Sequence, residues 1–216
     1  MAKPKAAAPE PRSRDADRSQ QAILGAARDE FAQHGLAGAR VDRIAERAGL
    51  NKRMLYYYFG SKDDLFLAVL ESVYADIRAA EKQLRLLELE PPEAVRRLTE
   101  FTWTYYLEHP EFITLLNSAN LHQARHLDRS QRVREMNSPL IQTLGEVLER
   151  GRKQGIFRGG IDPVQLYISI AGLSYFYLSN NFTLSAIFGR NLMARKAHSE
   201  RLSHMCDVIL GYVLRD

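Results

Sequence analysis

Cysteine is almost missing: Cys206 is the only one in 216 residues. A lone thiol excludes an internal disulfide framework and points to a reducing interior such as the cytoplasm. Nothing around Cys206 in the sequence marks a thiolate-stabilising setting, so a redox role is not expected. Long apolar runs are missing too. The longest, about residues 167–178, falls well short of the roughly 20 needed to cross a bilayer, so no membrane partner is expected. Residues 1–17 lack the apolar stretch of a secretory signal. Their Pro, Ala, Lys and Arg content reads as a disordered basic tail. Period-two alternation is scarce, which argues against strands. Signatures of catalysis are also wanting. The segment GLSYF lacks the second glycine of a nucleophile elbow, no GK[ST] follows the glycines at 151, 155, 159 and 160, and no H-E-x-x-H occurs. His122 and His126 lie one helical turn apart, but no carboxylate or thiol motif accompanies them. No metal, cofactor or enzymatic activity is therefore expected.

What the chain does have is helical spacing and unevenly placed charge. The net charge is +4. Residues 1–62 hold 12 Lys and Arg against 7 Asp and Glu, whereas residues 63–216 hold 18 against 19. The positive excess thus sits in the first quarter, where it can attract a polyanion. Ile23, Ala27 and Phe31 line one face of a helix over about 18–34, with Asp15 or Asp17 as cap and Gly35 as stop. Shorter helices follow at 41–48 and 52–58, separated by Gly49 and capped by Asn51. Ser61 and Asp64 open a long helix reaching about residue 84. After the break at Pro91 and Pro92, helical patterns cover 93–108, 111–127, 129–153, 162–181 and 191–214, with Pro139 expected to kink or split its segment. The fold class is all-α, with about nine helices. It divides into a basic tail (1–17), a helix-turn-helix unit (18–62) and a larger C-terminal bundle (63–216).

The stretch NKRMLYYYFG sets four aromatics in a row behind Lys52 and Arg53. At 100° per residue they cannot share a face. Leu55 and Phe59 fall together and can pack on Ile44 and Ala45, while Arg53 and Tyr57 fall on the opposite face. Two short helices joined by a Gly-containing turn make a helix-turn-helix, whose second helix can enter the major groove of DNA. A displayed tyrosine offers a hydroxyl to phosphate or a ring edge to a thymine methyl, and Arg53 or Lys52 can reach guanine O6 and N7.

The segments ILGAARDEFAQHG, VDRIAERAGL, LYYYF and GSKDDL, spread over about residues 20–71, together resemble the N-terminal DNA-binding domain of the TetR/AcrR family of bacterial transcriptional regulators. The resemblance implies an all-α homodimer joined through its last two helices, a double-stranded operator as partner, and a small-molecule effector bound in the C-terminal bundle. It implies base contacts from Lys52, Arg53 and Tyr56. Tyr57, Tyr58, Arg43 and Lys62 would lie near the phosphates, with Lys62 at a helix N-terminus that itself favours an anion. Arg40 stands where the family often has threonine, replacing a hydroxyl contact with a charged one. Asn51 stands for the usual Ser or Thr, and Tyr58 for a histidine. These departures leave the operator sequence open. Tail residues Arg12, Arg14 and Arg18 are candidates for extra phosphate or minor-groove contacts.

The C-terminal part says less. LYISIAGLSYFYLSNNF, with Ala171, Gly172 and Ser174, permits close helix approach and pairs with the last helix, where Val208, Ile209 and Val213 form a stripe, as a candidate dimer interface. Trp103, Tyr106, Phe112, Leu116, Asn117, Asn120, Phe176 and Asn180 mix aromatics with amides and are candidate ligand-binding residues. The expected function is a DNA-binding regulator, a repressor released from a palindromic operator by an effector. The alternative is a ligand-independent architectural or activating DNA binder.

Overall fold

A computed structural model describes residues 11–215, with side chains from Asp15 onward. Residues 1–10 of the basic tail lie outside the described residues. Residues 11–17, expected as part of that tail, instead belong to α1 (Pro11–Gly38), so neither Asp15 nor Asp17 caps its start. Gly35 marks the expected stop. Its φ of 63° breaks the helix, and one further turn follows before α2.

Two short helices come next, α2 (Val41–Arg47) and α3 (Lys52–Phe59). The Asn51 side chain accepts from the Met54 amide, the N-cap expected of it. Gly60, with φ of 75°, stops α3. Ser61 accepts from the Asp64 amide to open α4 (Lys62–Lys82).

The remaining helices build the bundle: α5 (Pro91–Glu108), α6 (Pro110–Leu121), α7 (Gln131–Lys153), α8 (Pro163–Ser179), α9 (Asn181–Phe188) and α10 (Arg195–Val213). Short 3-10 turns at Leu86–Glu88 and Leu127–Arg129 join α4 to α5 and α6 to α7. Arg150 of α7 fixes the first of these turns by donating to the carbonyls of Leu87 and Leu89.

Four expectations need correction. The sixth helix ends at Leu121, not near 127, because Gln123 and Ala124 take left-handed φ of 58° and 53°. The seventh runs unbroken through Pro139. α9 was not expected. The last helix starts at Arg195, four residues later than its pattern suggested.

Ten α-helices and no strand appear among the described residues, apart from one bridge pairing Phe157 with Leu214. α4 spans both parts of the molecule. Phe66 in its second turn meets Phe31 of α1 edge-on at 5.0 Å, whereas Ile77 and Glu81 near its end are buried in the bundle. α1 also packs on α6, where the Leu36 amide donates to Ser118 Oγ at 3.0 Å. The N-terminal head is therefore seated on the body by α1 and by the first turns of α4.

Candidate nucleic-acid interface

Helix α3 is held from one side only. Leu55 is fully buried and packs with Ile44, Val41 and Phe31, and Phe59 lies against the same core. On the far side Tyr57 is 77% exposed and Tyr56 is 42% exposed, and Arg53 is exposed as well. Tyr58 takes the middle position. It packs on the head core and meets the Tyr57 ring edge-on at 5.2 Å, so it steadies the displayed ring. The aromatic run thus divides as helical geometry requires, into anchor and display.

Two of the sequence candidates are already engaged with carboxylates. Lys52 Nζ lies 2.9 Å from Asp42 Oδ1. Their hydrogen bond and mutual attraction raise the ammonium pKa and lower that of the carboxyl. Arg43 Nε lies 2.8 Å from Glu30 Oε1, and the same oxygen accepts the Arg40 amide at 2.9 Å. Glu30 is only 2% exposed, so it orients the start of α2 while leaving the Arg40 side chain exposed. Sequence reasoning missed Glu30 and Asp42. The signal was an acid on the inward side of α1, four residues after Ala26 and three after Ala27, both buried.

Lys62 opens α4, with its Nζ 3.4 Å from the Ala37 carbonyl. Two carboxylates share this first turn. Asp64 Oδ2 accepts from Ser61 Oγ at 2.6 Å and its Oδ1 from Arg129 at 3.0 Å. Asp63 Oδ1 lies 2.8 Å from Nε2 of the buried His126, whose ring stands edge-on to Phe66. The hydrogen bond from His126 holds the Asp63 carboxyl below its ordinary range. Further along, Ser130 Oγ donates to Glu71 Oε1 at 2.6 Å. The turn between α6 and α7 is therefore tied to the N-terminal half of α4, the helix that follows α3. His122 bonds back to the Ser118 carbonyl, so the two histidines serve different partners.

The eight candidate ligand residues do not surround one space. Trp103 is buried against Tyr177 and His198, and Tyr106 stacks on Phe112 at 5.5 Å, all within the core. Leu116 packs at the edge of that core. Asn117 bonds Tyr175 and Ser179, Asn120 is exposed, and Asn180 bonds back to the Phe176 carbonyl at the end of α8. Phe176 faces outward, 59% exposed. It joins Ile168, Val208 and Tyr212, which are 42–54% exposed, on an apolar face shared by α8 and α10. α9 exposes Phe182, Ile187 and Phe188 as well, and none of its residues is fully buried.

Residues 23–69 match the family described as "Bacterial regulatory proteins, tetR family", and residues 91–209 match "Tetracyclin repressor-like, C-terminal domain". The chain belongs to the TetR family. It is a DNA-binding transcriptional regulator of the helix-turn-helix type. The TetR-family assignment extends over most of the chain. The HTH-type transcriptional repressor NicS of Pseudomonas putida is 41% identical over 199 residues, which cover 92% of this chain and 94% of that protein. Among solved structures, a TetR family transcription regulator from Marinobacter aquaeolei VT8 shares the fold at a TM-score of 0.69 and 22% identity, covering 95% of this chain and all of the other. AibR, solved in complex with isovaleryl coenzyme A and operator DNA, shares it at 0.65 and 16% identity, covering 88% and 97%. No helix among the described residues is long and apolar enough to cross a membrane.

Proposed function

We propose that this TetR-family protein is a cytoplasmic repressor that occupies a palindromic operator as a homodimer and leaves it when a small organic molecule enters the C-terminal bundle. The observation that carries the reading is α3, fixed by Leu55 on one side and displaying Arg53, Tyr56 and Tyr57 on the other. Such a helix presents a base-reading face without losing its anchor. Lys52, Arg53 and Tyr56 read bases; Tyr57, Tyr58, Arg40, Arg43 and Lys62 hold phosphates.

The exposed apolar residues of α8, α9 and α10 support association of two copies through them. Two recognition helices then meet successive major grooves, which makes the operator two-fold symmetric. The repressor sense of regulation is supported by the name of the relative NicS, and ligand response by the complex of AibR. The bonds from His126, Arg129 and Ser130 to α4 offer a route by which a change in the bundle reaches the head. Moving the protein from 99% bound-competent to 99% released requires the effector to favour the released state by about 5.5 kcal/mol.

The test is selection of genomic DNA fragments by the purified protein at near-physiological salt. Enrichment of one palindrome is expected. Uniform recovery without a motif overturns the reading and favours an architectural DNA binder.

A further inference from the structure

Arg78 and Glu81 sit inside the molecule, on the stripe of α4 that also carries Leu70, Val73 and Ile77. Their side chains are 9% and 2% exposed. Buried charges normally satisfy every donor and acceptor. These do not. Arg78 Nη2 donates to the Tyr167 hydroxyl at 2.6 Å, and the guanidinium carbon lies 5.3 Å from the centre of the Tyr167 ring. Arg78 Nη1 comes within 2.8 Å of Glu81 Oε2, but the angle is not that of a hydrogen bond. Nε and Nη1 of the arginine and both carboxylate oxygens are left without a hydrogen-bond partner.

The pair forms part of the wall of a cavity of about 560 Å³ between α4, the 3-10 turn at Leu86–Glu88 and α7. The rest of the wall is mainly apolar, with Ala79, Leu86, Met136, Pro139 and Leu140. Lys82 and Arg85 line it too, so together with Arg78 the lining cations outnumber its two carboxylates, Glu81 and Glu88. A volume of this size suits a small organic ligand, and apolar walls with a few convergent polar groups are the usual form of such a site.

We propose that this cavity is the effector site and takes a small organic monocarboxylate, whose carboxylate pairs with Arg78 while its apolar body lies against Leu86, Met136 and Leu140. The assignment rests on the effector reading for its link to DNA release, but not for binding itself. Arginine suits the role because its planar fork matches a carboxylate and its charge cannot be titrated away. A bound anion competes with Glu81 for the guanidinium. Burial already pushes the Glu81 carboxyl up to about 7 against the opposing pull of Arg78. The other charged or titratable groups around the pair are Tyr74 and Lys82 on α4, Arg85 and Glu88 at the turn, Tyr105 and Tyr106 on α5 and Tyr167 on α8. An incoming carboxylate that draws the guanidinium away from Glu81 favours the protonated form of that buried carboxyl. Binding therefore takes up a proton and weakens as pH rises from 6 to 8.

Calorimetric titration of the full-length protein with matched probes tests this: benzoate against benzamide, and hexanoate against hexanamide. The acid of at least one pair is expected to bind ten-fold or more tightly than its amide at pH 6.5. Arg78→Gln should erase that preference. Ala79→Phe, which leaves Arg78 in place and narrows the cavity, should weaken binding of acid and amide alike, with the fold checked by thermal unfolding. Absence of any acid preference, or full binding by Ala79→Phe, overturns the site. The two readings fail separately. A selected palindrome with no acid preference removes the site and leaves the regulator. Acid binding that leaves operator affinity unchanged removes the effector role and leaves the site.

Discussion

Arg53 and Tyr57 lie on one exposed line of α3, while Lys52 on the same helix is held by Asp42. That difference gives the residues different tasks. Arg53→Ala should leave the fold intact and relax discrimination at one base pair by roughly 1–3 kcal/mol, read by competition titration against single-base operator variants at fixed salt. An equal loss on every sequence would make Arg53 a phosphate contact instead. Glu81 carries a second expectation. Its folded pKa of about 7 stands above the ordinary 4.5, so the charged form is disfavoured by folding. The associated stability is fully present below pH 4.5 and is lost as pH rises through 7. Denaturation midpoints should accordingly fall between pH 5 and 8, and Glu81→Gln should flatten that fall. The sequence made Arg53 legible because display follows from helical angle. It did not make Arg78 and Glu81 legible as a site. Glu81 lies eleven residues, about three turns, beyond Leu70 and so on the same face, but spacing alone does not reveal that the face is enclosed.

At the scale of elements, signals local to the chain were the readable ones. Asn51 and Ser61 each cap the helix that follows them, as their side chains and positions imply. Boundaries set by distant packing were not readable. The end of α6 at Leu121 depends on left-handed residues that are not glycine, Gln123 and Ala124, in the turn that carries His126 to Asp63. α9 escaped because its apolar residues face outward and show no one-sided pattern. α7 continues through Pro139, where composition alone argues for a kink. One close approach sets the join of α7 to α8. Phe157 folds back so that its ring covers Gly151, leaving no room for a Cβ there. Gly151→Ala should destabilise the protein by more than about 1 kcal/mol, since neither the buried ring nor the helix backbone can yield freely. Urea denaturation monitored by far-UV circular dichroism checks this; an unchanged midpoint would mean the ring has another place to go.

For the molecule as a whole, charge placement and the TetR-like motifs were the signals in the sequence, and membership of the family is what they made readable. The mode of contact between two copies is a question of surface. Phe176 stands near the middle of the face formed by α8 and α10, beside Gly172, Leu173 and Val208. Phe176→Glu puts a charge on that face and should give monomers in sedimentation velocity at micromolar concentration, with operator affinity falling in parallel. A dimer of unchanged stability would place the interface elsewhere. Both α8 and α10 are also well rooted, since Ile170 and Leu166 on one and Met205 and Val213 on the other are buried. Phe157 and Leu214 pair at the far end of α10 and hold it in place.

α9 has no such roots. None of its residues is fully buried, and Gly189 in a left-handed conformation ends it after eight residues. Helices this short do not persist in water unaided. Its persistence therefore depends on what covers Phe182 and Phe188, and the exchange of its amide hydrogens with solvent should run on a separate clock from the rest of the bundle. If the partner subunit is the cover, that clock is set by the lifetime of the dimer rather than by the stability of the fold, and one eight-residue segment keeps time for the assembly.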